Sequence, residues 1–108
     1  MPHDPVLAEK MRAALAARKG IVEKKMFGGY CWMLNGNMLC GVEVGRYMFR
    51  VGKDLEATAL SLPGATPMDI TGRPMRGFVW VQAEHTKGRA LTKWIDLASK
   101  YVGALPPK

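Results

Sequence analysis

The chain has 108 residues, 48% apolar and 23% charged, which fits one globular domain and excludes both a disordered chain and two separately cored domains. Sixteen Lys and Arg against nine Asp and Glu give a net charge of +7, a balance that draws nucleic acid, anionic lipid or acidic protein, or simply keeps a chain in solution. No apolar run approaches the roughly 20 residues of a membrane helix, the N-terminus lacks a signal-peptide pattern, and two cysteines cannot build a disulfide scaffold, so the expectation is a cytoplasmic single domain over 1–108 with no membrane partner.

The first predicted element is a helix. Asp4 suits the N-cap and Pro5 the first helical position, Leu7, Met11, Ala14 and Leu15 fall at helical spacing, and Gly20 follows Arg18 and Lys19 as a C-cap. A meander follows: strands over 21–27, 30–34, 38–44 and 47–51, with Asn35-Gly36 the strongest hairpin signal and Gly45-Arg46 the next turn pair. On this register Met33 faces Met38, Trp32 faces Leu39, Cys31 faces Cys40, Tyr30 lies opposite Gly41, Val44 faces Tyr47 and Val42 faces Phe49. One face then carries Cys31, Met33, Met38, Cys40, Val42, Val44, Tyr47, Phe49 and Val51, and as the continuously apolar one it should take the helices.

Asp54 caps a short predicted helix through Leu62. Residues 65–77, holding Pro67, Gly72, Pro74 and Gly77, read as an extended, turn-rich connection. A last strand covers 78–82. A final helix starts at or beside Thr86, with Leu91, Trp94, Ile95, Ala98, Tyr101 and Val102 on its apolar face. Helices at both ends of clustered strands predict an α+β fold in two layers, in the order α-β-β-β-β-α-β-α, and not a nucleotide-binding doubly wound sheet.

The chemistry-bearing residues are sparse. Gly28-Gly29 opens no helix and no phosphate-loop pattern exists. His3, His85, Cys31 and Cys40 lack the spacing of a metal set, the cysteines fall on the predicted core face, and no acid accompanies Asp69. The expectation is therefore a non-enzymatic protein with no metal, cofactor or catalytic residue. Asp69 reads as a turn cap or a partner for Arg73 or Arg50. Tyr30 and Trp32 read as packing, not as a base-stacking platform. The least generic stretch is 67–78, where two prolines stiffen a loop carrying Arg73 and Arg76.

Four separated segments carry a resemblance. Lys24-Lys25-Met26-Phe27-Gly28-Gly29, Asn35-Gly36-Asn37-Met38, Arg50-Val51-Gly52, and Gly72-Arg73-Pro74-Met75 with Gly77-Phe78-Val79 resemble the N-terminal domain of the TfoX family. The resemblance implies a curved antiparallel sheet like that of secretion chaperones. It also implies a regulatory role in natural competence, with a second, helical C-terminal domain in full-length members that is not expected within this chain. It transfers no catalytic residue.

The resulting expectation is a small regulatory domain that acts by binding another macromolecule, most simply a protein. Lys24, Lys25, Arg50, Arg73 and Arg76 are its candidate recognition residues, facing an acidic or phosphate-bearing surface. Two alternatives stand beside it: a nucleic-acid-binding module using the basic surface, and a small ligand-binding protein or enzyme with a site in the sheet's concavity. Because the basic residues are spread along the chain, nucleic-acid binding is expected to be weak and non-specific at most.

Overall fold

The computed structural model describes residues 5–26, 29–70 and 72–107, and at Met26, Asp69, Ile70, Arg73 and Pro74 the backbone alone. Asp4 as N-cap and Phe27 as the end of the first strand lie outside the described residues. The elements are α1 (Pro5–Leu15), β1 (Ile21–Met26), β2 (Gly29–Leu34), β3 (Asn37–Glu43), β4 (Arg46–Arg50), α2 (Lys53–Leu60), β5 (Ala65–Ile70), β6 (Arg73–Gln82), a 3-10 turn (Ala83–His85) and α3 (Arg89–Val102). The strands form one antiparallel sheet in the order β1-β2-β3-β4-β6-β5. The α+β class is as expected.

The strand β5 is a correction, because 65–77 is not a turn-rich connection. Its prolines sit where a sheet tolerates them. Pro67 is on β5, an edge strand. Pro74 pairs with Asp69 on a stretch of β6 that extends beyond β4, whose last partner on β6 is Phe78. The helix boundaries also move. The first helix ends at Leu15, short of Gly20. The cap of α2 is Gly52, not Asp54, and α2 ends at Leu60, not Leu62. A 3-10 turn precedes α3, which starts at Arg89.

The Asn35-Gly36 hairpin forms as expected, with both residues at positive φ (53° and 86°), the conformation a tight two-residue hairpin turn requires. Met33 pairs with Met38. One step further the register shifts, and Trp32 pairs with Cys40. Leu39 is the extra residue of a β-bulge, and both Leu39 and Cys40 enter the core. A one-residue shift reverses the faces of everything beyond it. Cys31 thus lies opposite Gly41, not Cys40, and Tyr30 opposite Val42, not Gly41. Trp32, 2% exposed, is a core residue, whereas Met33 and Met38 are only half-buried. At the next hairpin Glu43 pairs with Arg46, so the turn pair is Val44-Gly45 and Val44 is 56% exposed. Val42 there faces Tyr47 and Phe49 faces Cys40. That slip is two residues, so Cys40, Val42, Tyr47, Phe49 and Val51 keep the predicted face.

All three helices bury side chains in one cluster with this face. Leu7, Met11 and Leu15 of α1, Ala59 of α2, and Leu91, Trp94, Ile95, Ala98 and Val102 of α3 meet Trp32, Cys40, Val42, Tyr47, Phe49, Val79 and Val81. The apolar face read for the last helix is the buried one. Phe49 stacks on Trp94 with ring centroids 5.4 Å apart, and the fully buried Tyr47 hydroxyl donates to the Leu7 carbonyl at 2.8 Å. Arg12 of α1 forks onto both carboxylate oxygens of Glu23 on β1. Cys31 and Met48 are buried as well, but outside this cluster, on the opposite sheet face.

Two outcomes follow. Trp32→Ala should cost about 3–5 kcal/mol in thermal or denaturant unfolding, and Met33→Ala no more than about 1 kcal/mol; the reverse order would mean that the bulge is absent. Cys31 and Cys40 point to opposite faces, so mild oxidation of the folded protein should leave both thiols titratable by Ellman's reagent after unfolding. Burial pushes the Cys31 thiol up and the fully buried Cys40 thiol further, so in the folded state both should react slowly, Cys40 the more slowly.

Candidate functional site

The candidate recognition residues do not form one patch. Lys24 and Lys25 are exposed on β1, at the opposite sheet edge from β5, where they pair with Cys31 and Tyr30. Arg73 opens β6, and only its backbone is described. The expected pairing of Asp69 with Arg73 or Arg50 lies outside the described side chains. Arg50 and Arg76, however, come together. They line a cleft of about 350 Å³ with Gly52, Lys53, Asp54, Gly77, Phe78 and Tyr101.

The cleft exists because two glycines let three elements close on one another. Val51 and Gly52, leaving β4, both donate backbone N–H groups to the Gly77 carbonyl, at 2.8 and 3.0 Å. Gly52 has φ +84°, and a Cβ there would meet the Tyr101 ring at 2.4 Å. Gly77 has φ +86°, and a Cβ there would press on the Gly52 backbone at 3.2 Å. Neither position accepts another residue without strain. Two of the segments carrying the sequence resemblance, Arg50-Val51-Gly52 and Gly77-Phe78-Val79, are thus the two walls of this corner.

Its cations come from three elements. Arg50, the last residue of β4, sits across from its β-partner Phe78, its guanidinium carbon 5.5 Å from that ring and 5.6 Å from the Tyr101 ring. These aromatic contacts hold the charge in place without neutralising it. Among the described residues Arg50 and Lys53 form no ion pair. Arg76 of β6 donates through Nε to Glu56 at 2.7 Å, and its side chain stays 63% exposed. The other oxygen of Glu56 accepts the Gly77 N–H at 3.1 Å. Glu56 is therefore the internal partner of Arg76 and the clamp joining α2 to β6. The Arg76 hydrogen bond, with help from the Gly77 N–H, holds its carboxyl below the usual carboxylate range.

Lys53, Glu56 and Tyr101 escape a reading of the sequence. The pattern marks Lys53 only as the end of a strand, and Tyr101 only as one more residue on an apolar helix face. The nearest signal is Gly52 followed by two charged residues. Elsewhere on the open sheet face Arg46 covers the Trp80 ring at 3.7 Å and pairs with Glu43. Among the described residues, no three His, Cys, Asp or Glu stand close enough to hold a metal ion, and no helix is long and apolar enough to cross a membrane.

A family model for the TfoX N-terminal domain matches residues 13–101. The chain belongs to the TfoX N-terminal domain family. This family is associated with the regulation of competence. No curated protein and no solved structure matches the chain. The match runs from α1 to the last turn of α3 and so takes in every residue of the cleft.

The Glu56 clamp gives a pH prediction. A carboxyl whose folded pKa lies below its ordinary value of 4.5 stabilises the fold fully above that value, and the contribution is lost as pH falls through the lower, folded pKa. Unfolding midpoints of the parent chain should therefore drop below about pH 4.5 more steeply than those of Glu56→Gln, which should already be less stable at pH 7. Parallel curves for the two proteins would remove Glu56 from the account.

Proposed function

We propose that this TfoX N-terminal domain is a non-enzymatic, cytoplasmic regulatory module that binds an acidic segment of a protein partner, with the cleft between β4, α2 and β6 as the seat of recognition. One observation carries the reading. Arg50, Lys53 and Arg76 converge on a concave, glycine-floored site, and Arg50 is held against two aromatic rings. Cations fixed in this way lose little entropy on docking and offer planar donors to carboxylate oxygens. Regulation of competence or transcription is the process this binding would serve, in keeping with the family.

The nucleic-acid reading is weaker because the described basic residues singled out above lie on different strands. Lys24 and Lys25 are on β1, whereas Arg50 and Arg76 are three and four strands away in the sheet order. A phosphate backbone engaging only one of these groups gains few counterions and little affinity.

The test is affinity capture with the parent chain and with Arg50→Ala/Lys53→Ala, which leaves the Arg76–Glu56 pair in place, followed by identification of the captured protein. A specific partner should be lost from the double variant, returned by neither DNA nor RNA, and displaced from the parent chain by a poly-glutamate peptide. The variant should melt within a few degrees of the parent. Retention of the partner by the double variant would sink the cleft as its docking site. Tight, salt-resistant capture of nucleic acid would favour the second reading instead.

A further inference from the structure

We propose that the anionic group seated in the cleft is a phosphate monoester, either a phosphorylated side chain of the partner or a free phosphorylated small molecule. This rests on the reading of the cleft as the recognition site and narrows its ligand chemistry.

The arrangement of the donors points this way. Three cations and one carboxylate, Asp54, line the cleft, and a second carboxylate, Glu56, neutralises Arg76 from behind, which leaves a surplus of one positive charge. A phosphate monoester, nearly dianionic at neutral pH, can draw on all three cations at once. A carboxylate brings one negative charge and two oxygens, which a single arginine satisfies in a bidentate pair. A phosphate brings three acceptor oxygens in a pyramid, and the donors here arrive from three elements: Arg50 from β4, Lys53 from α2 and Arg76 from β6.

The cations are prepared for such a ligand. Arg50 is steered by Phe78 and Tyr101. Arg76 is anchored at Nε by Glu56, and its exposed remainder carries the guanidinium's terminal nitrogens. Glu56 itself is turned inward, with its second oxygen on the Gly77 N–H, so it positions Arg76 without lining the cleft. The floor adds close backbone approach. Gly52 and Gly77 present no Cβ, and Gly52 caps α2 with no side-chain hydrogen bond to the first helical N–H groups. These N–H groups add to the field that the side chains create, as helix starts do for phosphates. The volume of about 350 Å³ exceeds a bare phosphate and leaves room for the atoms that carry it. The Phe78 and Tyr101 rings supply the apolar wall for them.

The experiment is a backbone-amide NMR titration of the full chain with phenyl phosphate and with benzoate, which shares the ring but carries a carboxylate. Phenyl phosphate should produce saturable shifts at Gly52, Lys53 and Gly77, at least roughly tenfold tighter than benzoate, the gain expected from an added charge-assisted hydrogen bond. Arg50→Ala should weaken it by roughly tenfold or more. Lys53→Ala, at an exposed position that the fold does not need, should weaken it in the same direction. The double change Lys24→Ala/Lys25→Ala should leave it within about twofold, because a site and not the overall charge is being read.

A phosphoserine peptide that binds more tightly than phenyl phosphate would assign the group to a protein partner. Inorganic phosphate or phenyl phosphate binding as tightly as the peptide would assign it to a free small molecule. Both outcomes support the site. Equal affinity for phenyl phosphate and benzoate would overturn the phosphate assignment and leave the acidic-segment reading intact. No saturable shift with either anion would overturn both.

Discussion

The constraint on which this domain depends is that one face of its sheet must be dry. Its three described helices bury their side chains against that face, and Trp32, Tyr47, Phe49, Val79 and Val81 are all within 2% of complete burial there. At 108 residues there is material for only one core, so the pairing must bring Trp32 to the same side as Tyr47, Phe49, Val79 and Val81. The bulge at Leu39 does this. Without it Trp32 would face the open side and Met33 the core. With it two consecutive residues, Leu39 and Cys40, both point inward beneath α1 and α3, and the Cys40 sulfur lies 3.8 Å from that of Met11. An extra residue in one strand costs a ladder hydrogen bond, and the burial of an indole ring outweighs it.

The opposite face solves a different problem. No described helix covers it, and it limits its exposure with its own long side chains. Arg46 lies over Trp80, the Met48 methyl group reaches the bare backbone of Gly41, and Cys31 and Met48 end up buried with no helix above them. Arginine suits this use because its guanidinium shields an aromatic ring while keeping its charge hydrated. Arg50 continues the same pattern at the strand end, over Phe78, and there the sheet stops and the cleft begins. The cleft is thus the end of a row of arginine–aromatic contacts along the open face.

The cleft and the fold share a fastening. Gly52 and Gly77 must touch for β4 to hand over to α2 beside β6, and Glu56 locks that contact from α2 by binding both the Gly77 N–H and Arg76. A change at either glycine would disturb both the stability of the corner and the shape of the cleft. The exposed Lys53 can vary without harm to the core. The proposed recognition can therefore be probed separately from folding at Lys53, and far less cleanly at Arg76, which holds Glu56, or at Gly52.

The sequence by itself determined the class of the fold, the Asn35-Gly36 hairpin, the buried face of the last helix and the family. Each of these is written in local pattern: a turn that needs positive φ, a period of 3.6, motif segments in a fixed order. It also supplied Arg50 and Arg76 as candidates, but with Lys24, Lys25 and Arg73 as their equals. Only the tertiary structure decided which face Trp32 takes, since a bulge leaves no mark in an alternating pattern whose two faces are both apolar. Only it showed residues 65–70 to be a strand, because proline forbids a central strand but not an edge, and edge position is a property of the assembled sheet. The cleft was illegible for the same reason. Its parts lie at 50–54, 76–78 and 101, and nothing local to Lys53 or Tyr101 reveals that a glycine contact and a carboxylate clamp bring them to one corner.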